Sequence, residues 1–222
     1  MAASYAYTST RARKHYTYSG DNYQLYNRKI GYANYMLAKA SKTLGTHNKK
    51  LLYSGLIHSH LVYGAPIWGN AHKCHLDKLL KQQKKAIRHI HNLRYRDHTH
   101  DYFIKSNILK LPELMEYTTL SYIQMGLHEC SPDHIRQLWT IRDNNNFILR
   151  DKSMKIETIF TTKDWITRLA PTRQANLWNR TSKEVDCQLE PVYFKPHLKA
   201  YYMRKYLDTQ TNKPTDSQNL LN

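Results

Sequence analysis

Acidic residues are almost missing from one third of this chain. Residues 28–110 carry 16 Lys and Arg against only 3 Asp and Glu, while residues 1–27 carry 3 against 1 and residues 111–222 carry 15 against 13. Most of the formal charge of +17 over 222 residues is therefore concentrated in one stretch. A soluble domain needs only a modest net charge with both signs mixed. A one-sign field confined to one segment points instead to a polyanionic partner.

Other scarcities argue against whole classes of fold and function. Glycine and proline number 7 each, too few for a sandwich or barrel built on many tight turns, which favours a mostly α-helical chain. Cys74, Cys130 and Cys187 are odd in number and far apart. With no charged-then-apolar leader, they read as reduced thiols of an intracellular protein, nuclear or cytoplasmic. No apolar run approaches the roughly 20 residues of a membrane span, so no membrane partner is expected. There is no G-x-S-x-G elbow, no phosphate-cradling glycine loop and no Cys–His nucleophile pattern. What is present is ample material for a core: 41% of residues are hydrophobic and 18 are tyrosine, which argues against wholesale disorder.

Periodicity places the elements. Residues 1–27 lack a steady repeat and read as an irregular N-terminal segment. From Lys29, the residues Ile30, Ala33, Leu37, Ala40 and Leu44 fall on one helical stripe, with Gly45 as the expected C-terminal cap. A second helix is expected from an N-cap at Asn48 through Leu52, Leu56, Ile57 and Leu61 to Tyr63, stopped at Gly64 and Pro66. The third, from Leu76 to Leu93, is the clearest. Leu76, Leu79, Leu80, Gln83, Ala86, Ile87, Ile90 and Leu93 share one face; Lys78, Lys81, Lys85 and Arg88 lie opposite, with Lys84 at the edge. A fourth helix is expected from Pro112-Glu113 to Glu129, apolar on most sides. Residues 147–160 fit a strand pair or a broken helix. Phe194–Leu207 reads as an amphipathic helix with Pro196 in its first turn, and a flexible tail is expected from Asp208.

One block has a distinctive order. Leu52-Tyr53, Leu56-Ile57, Ser59-His60-Leu61, Tyr63-Gly64 and Ile67-Trp68-Gly69 are followed by Leu76, Leu79 and Gln83-Lys84-Lys85-Ala86-Ile87-Arg88. Then come Tyr95-Arg96-Asp97-His98-Thr99 and Asn107-Ile108-Leu109-Lys110-Leu111. This order resembles the segment downstream of the polymerase palm in LINE-type (non-LTR) retrotransposon reverse transcriptases. Leu177-Trp178-Asn179 and Phe194-Lys195 with Leu198-Lys199-Ala200-Tyr201 resemble the family's closing segments more loosely, and the Gly-Pro usual before Trp-Asn is missing.

The resemblance, over about residues 28 to 207, implies the thumb and post-thumb region of an RNA-directed DNA polymerase, which grips the primer–template duplex. It divides the chain into a basic helical thumb-like region (28–129), a looser post-thumb region (130–207) and the tail (208–222). Polymerase catalysis needs carboxylates close enough to share two divalent ions, and the family supplies adjacent Asp residues. No two Asp or Glu are adjacent here, and fingers, palm and endonuclease segments are absent. The chain is therefore expected to be a non-catalytic fragment of a truncated or decayed element copy, lacking its palm.

The candidate site is a phosphate-contacting stripe of Lys78, Lys81, Lys84, Lys85 and Arg88, extended by Arg94, Arg96 and His98. It would hold RNA or DNA by its backbone, with little sequence readout. The bland alternative is an ordinary solvated helix face. Tyr63 and Trp68 fit either base stacking or core packing. Nine of 13 histidines fall in residues 28–110. Yet the pairs His58/His60, His89/His91 and His98/His100 would point to different helix faces, and His72-Lys73-Cys74-His75 has no matching second ligand pair. Neither metal nor cofactor is expected. Three rival readings stand beside the main one: a free-standing host-adopted RNA- or DNA-binding module, a protein-interaction module with an acidic partner, and a chain unable to fold without its palm.

Overall fold

A computed structural model of the chain describes residues 24–63, 65, 73–128, 131–133, 137–141, 155–158 and 170–211. Over these residues the protein is mostly α-helical, and the only β pairing among them is an isolated antiparallel bridge between Ile141 and Ile156. The chain forms two compact units, Met1–Thr118 and Thr119–Asn222.

In the first unit, α1 is helical over its described residues, 24–40, so residues 24–27 are helical where an irregular segment was expected. Ile30, Ala33 and Leu37 are buried as the periodicity predicts. Gly45 does not cap α1. It adopts extended geometry (φ −69°, ψ 161°) and is the N-cap of the next helix, which places Asn48 inside that helix. The second run comprises α2 (Thr46–Tyr53), a π-helical turn π1 (Ser54–His58) and α3 (Ser59–Val62).

The π turn accounts for the one misread face. Lys49, Tyr53, Ile57 and Leu61 are buried, whereas Leu56 is exposed. A strict four-residue repeat drifts ~40° per step in a regular α-helix. One wider turn absorbs part of that drift, so all four side chains stay on the inward side.

The third run is α4 (Lys73–His91), with Leu79, Gln83, Ala86, Ile87 and Ile90 buried. It ends in Asn92, whose φ of 53° is left-handed, and the amide of Leu93 donates to the Arg88 carbonyl at 2.9 Å. Seven residues, α5 (His100–Ser106), follow and end the same way: Asn107 has φ 55° and the Ile108 amide donates to Phe103 at 3.0 Å. Both closures are Schellman-type, with asparagine in the position glycine usually takes.

Gln83 is the polar centre of this unit. Fully buried, it donates from Nε2 to Tyr53 Oη (3.0 Å) and to the Leu109 carbonyl (2.9 Å), and its Oε1 accepts the Leu111 amide (2.8 Å). One side chain thus ties α4 to α2 and to the start of α6 (Leu111–Leu127). A second buried amide, Asn34, donates to the carbonyl and the Oε1 of Gln82 at 3.1 and 2.9 Å, linking α1 to α4. Burial raises the Tyr53 phenol to about 12, against a smaller lowering by the Gln83 bond.

In the second unit, α7 (Ala170–Thr181) and α8 (Pro191–Thr211) carry the core. Phe194, Leu198, Tyr202 and Tyr206 are buried at a four-residue spacing along α8, and Phe194 lies 6.1 Å from the fully buried Trp178 of α7. Pro196 is not in the first turn: α8 starts at Pro191, so Pro196 sits inside it and removes one ladder donor. Asp208, expected in the tail, is helical. Asn179 grips Ile156 on both sides, its Nδ2 donating to the carbonyl and its Oδ1 accepting the amide, each at 2.8 Å. Most of 147–160 lies outside the described residues.

Candidate nucleic-acid interface

α4 presents opposite characters on its two sides because its apolar residues recur at helical spacing and its lysines fall between them. Lys78, Lys81 and Lys85 are exposed, and Lys84 is half-buried at the margin. None of these four ammonium groups is ion-paired among the described residues.

Arg88 has a different role from these lysines. It is half-buried, and its Nε and Nη2 donate to the Asp97 carbonyl at 3.3 and 3.2 Å. Its guanidinium also lies 6.0 Å from the centre of the Tyr95 ring. Asp97 closes the same turn: its Oδ2 accepts the Arg94 amide at 2.7 Å, and its own amide donates to the Arg94 carbonyl at 3.2 Å. The acid in the Tyr95–Thr99 motif is therefore spent on backbone. The side chains of Arg94, Arg96 and His98 are exposed around the turn that Arg88 holds.

Two histidines on α4 register the local field. Burial, then Lys85, lowers the pKa of His89. Burial, then Lys50, Lys105 and Lys49, lowers that of His91. In both, desolvation and surrounding ammonium groups disfavour the charged ring. Lys50 and Lys105 belong to α2 and α5. No local spacing in the sequence links them to α4, because the fold alone brings them to it.

The aromatic candidates separate. Tyr63 ends α3 with 72% of its surface exposed, so it is not a core residue. Trp68 lies outside the described residues. Among the described residues no group of three or more His, Cys, Asp or Glu is placed to hold a metal ion, and no helix is long and apolar enough to cross a membrane. Compared with protein-family models, curated proteins and solved structures, the chain has no match in any of the three.

Proposed function

We propose that this protein binds RNA or DNA through the sugar–phosphate backbone without catalysing a reaction on it, and that it is related to the post-palm region of LINE-type reverse transcriptases. The observation that carries the reading is the face of α4, where Lys78, Lys81 and Lys85 are exposed and unpaired among the described residues. Lys84 flanks them, and Arg94 and Arg96 extend the cationic surface from the turn that Arg88 positions. Flexible ammonium groups act as point charges toward phosphate and read no base edge.

The kinship is supported by where the motif residues meet. Tyr53, Gln83, Leu109 and Leu111 come from three separate segments of the resemblance and share one buried hydrogen-bond node. Their order along the chain then has a structural reason.

Charge reversal tests the binding. Lys78→Glu, Lys81→Glu and Lys85→Glu together weaken affinity for unrelated single-stranded and duplex sequences alike, by at least about 100-fold at low salt. A loss confined to one sequence would contradict backbone recognition. The kinship has its own test in the genomic DNA upstream, where a remnant of polymerase coding sequence is expected.

A further inference from the structure

Cations from separate elements converge on His91, at the end of α4. Its ring lies 4.9 Å from the Tyr102 ring and its Nε2 is 2.6 Å from Ser106 Oγ, both on α5. The ammonium of Lys105 stands 5.1 Å over the same Tyr102 ring. From α2, the buried Lys49 donates to Oδ1 of Asn92 at 2.8 Å, so its ammonium reaches the residue after His91. Lys50 is its chain neighbour and acts electrostatically on His91 alongside Lys49 and Lys105.

Among the described residues, carboxylates do not balance this group. Neither Lys50 nor Lys105 is ion-paired among the described residues. Asp101, one turn before Lys105, is a single negative charge against three ammonium groups. Lys110 is engaged elsewhere, with its Nζ 2.5 Å from His100 Nδ1. Like charges gathered by a fold repel one another, and a desolvated ammonium with only an amide oxygen opposite it gains strongly from an anion nearby.

We propose that Lys50, Lys105 and His91 form a phosphate-binding site at the end of α4, set apart from the lysine face. The phosphate is either a free ion or a second phosphodiester of the strand held by that face; only the second source rests on the proposed function. The buried Lys49 adds its charge through its bond to Asn92, and His91 and Lys105 share contact with the Tyr102 ring.

The test uses the full chain with labelled histidine, the His91 signal being assigned with His91→Gln. Its titration is followed by NMR alone, with inorganic phosphate, and with a single-stranded oligonucleotide. Phosphate raises the pKa of His91 by about one unit, the scale for an opposite charge brought within a few ångströms. Lys50→Gln with Lys105→Gln removes the rise, the corresponding arginine pair keeps it, and Lys81→Glu with Lys85→Glu leaves the response to inorganic phosphate intact. An oligonucleotide that moves His91 identifies the strand as a source. If no oligonucleotide binds while phosphate still moves His91, the strand reading fails and the site stands for the free ion. A His91 titration unmoved by both ligands overturns the proposal.

Discussion

The two units of the chain differ in how much aromatic area they bury and in their charge balance. Residues 1–118 bury Asn34, Lys49 and Gln83, whose side-chain nitrogens donate across helices, beside Tyr53 and Phe103, while holding 19 Lys and Arg against 6 Asp and Glu. Residues 119–222 bury more of the large aromatics, Trp139, Trp178, Phe194, Tyr202 and Tyr206, beside polar side chains such as Gln124, Thr172 and Gln174, and carry 15 against 11. Cross-helix hydrogen bonds fix register, since a buried amide tolerates few positions of its partners. Aromatic side chains supply large buried area and pack in defined ring pairs, as Trp178 and Phe194 do. In the more basic unit the cross-helix bonds tie α4 to α1 and α2, which holds its lysine face in place relative to its neighbours.

The largest effect is expected in the second unit. Trp178→Ala removes a fully buried indole and costs about 4 kcal/mol in denaturant unfolding. Measured where the variant is still folded, its oligonucleotide affinity stays at the wild-type value; a parallel loss would break the assignment of binding to the first unit.

Next comes the amide node. Gln83→Met fills similar volume but strands the Tyr53 hydroxyl, the Leu109 carbonyl and the Leu111 amide, at a cost of about 3 kcal/mol. A cost below about 1 kcal/mol would mean that the node does not fix the helices.

The smallest effect is on pH. His89 and His91 have depressed pKa values in the folded protein, so the unfolded chain takes up protons first on acidification. Their contribution to stability is present above the ordinary histidine value of 6.5 and is lost as pH falls through the folded values. Because both rings are only half-buried, the melting temperature is expected to drop modestly between pH 7.5 and 5.5. His89→Gln with His91→Gln should flatten that drop, and an unchanged drop would contradict the described field.

The first unit was more legible from sequence than the second, for physical reasons. The buried faces of α1 and α4 follow the helical period, and the exposed lysines of α4 fall where that period puts them. The π turn was hidden because Leu52 and Leu56 also fit a regular helix. α5 escaped because seven residues with one fully buried side chain, Phe103, give too short a repeat to read. α7 escaped because its inward face includes Thr172, Gln174 and Thr181 beside Ala175 and Trp178. Polar residues there mask the apolar pattern, and Pro171 near its start was the available signal. Of the candidate site, the lysine face was readable. The inward turn of Arg88 and the arrival of Lys50 and Lys105 beside His91 were not, since both depend on contacts between elements.

Affinity for a nucleic-acid homopolymer against salt concentration tests the central claim most directly. With about five phosphates engaged by Lys78, Lys81, Lys85, Arg94 and Arg96, the log–log slope is expected near −4.5 for a duplex homopolymer and near −3.5 for a single-stranded one. A slope near zero would contradict a grip on the sugar–phosphate backbone.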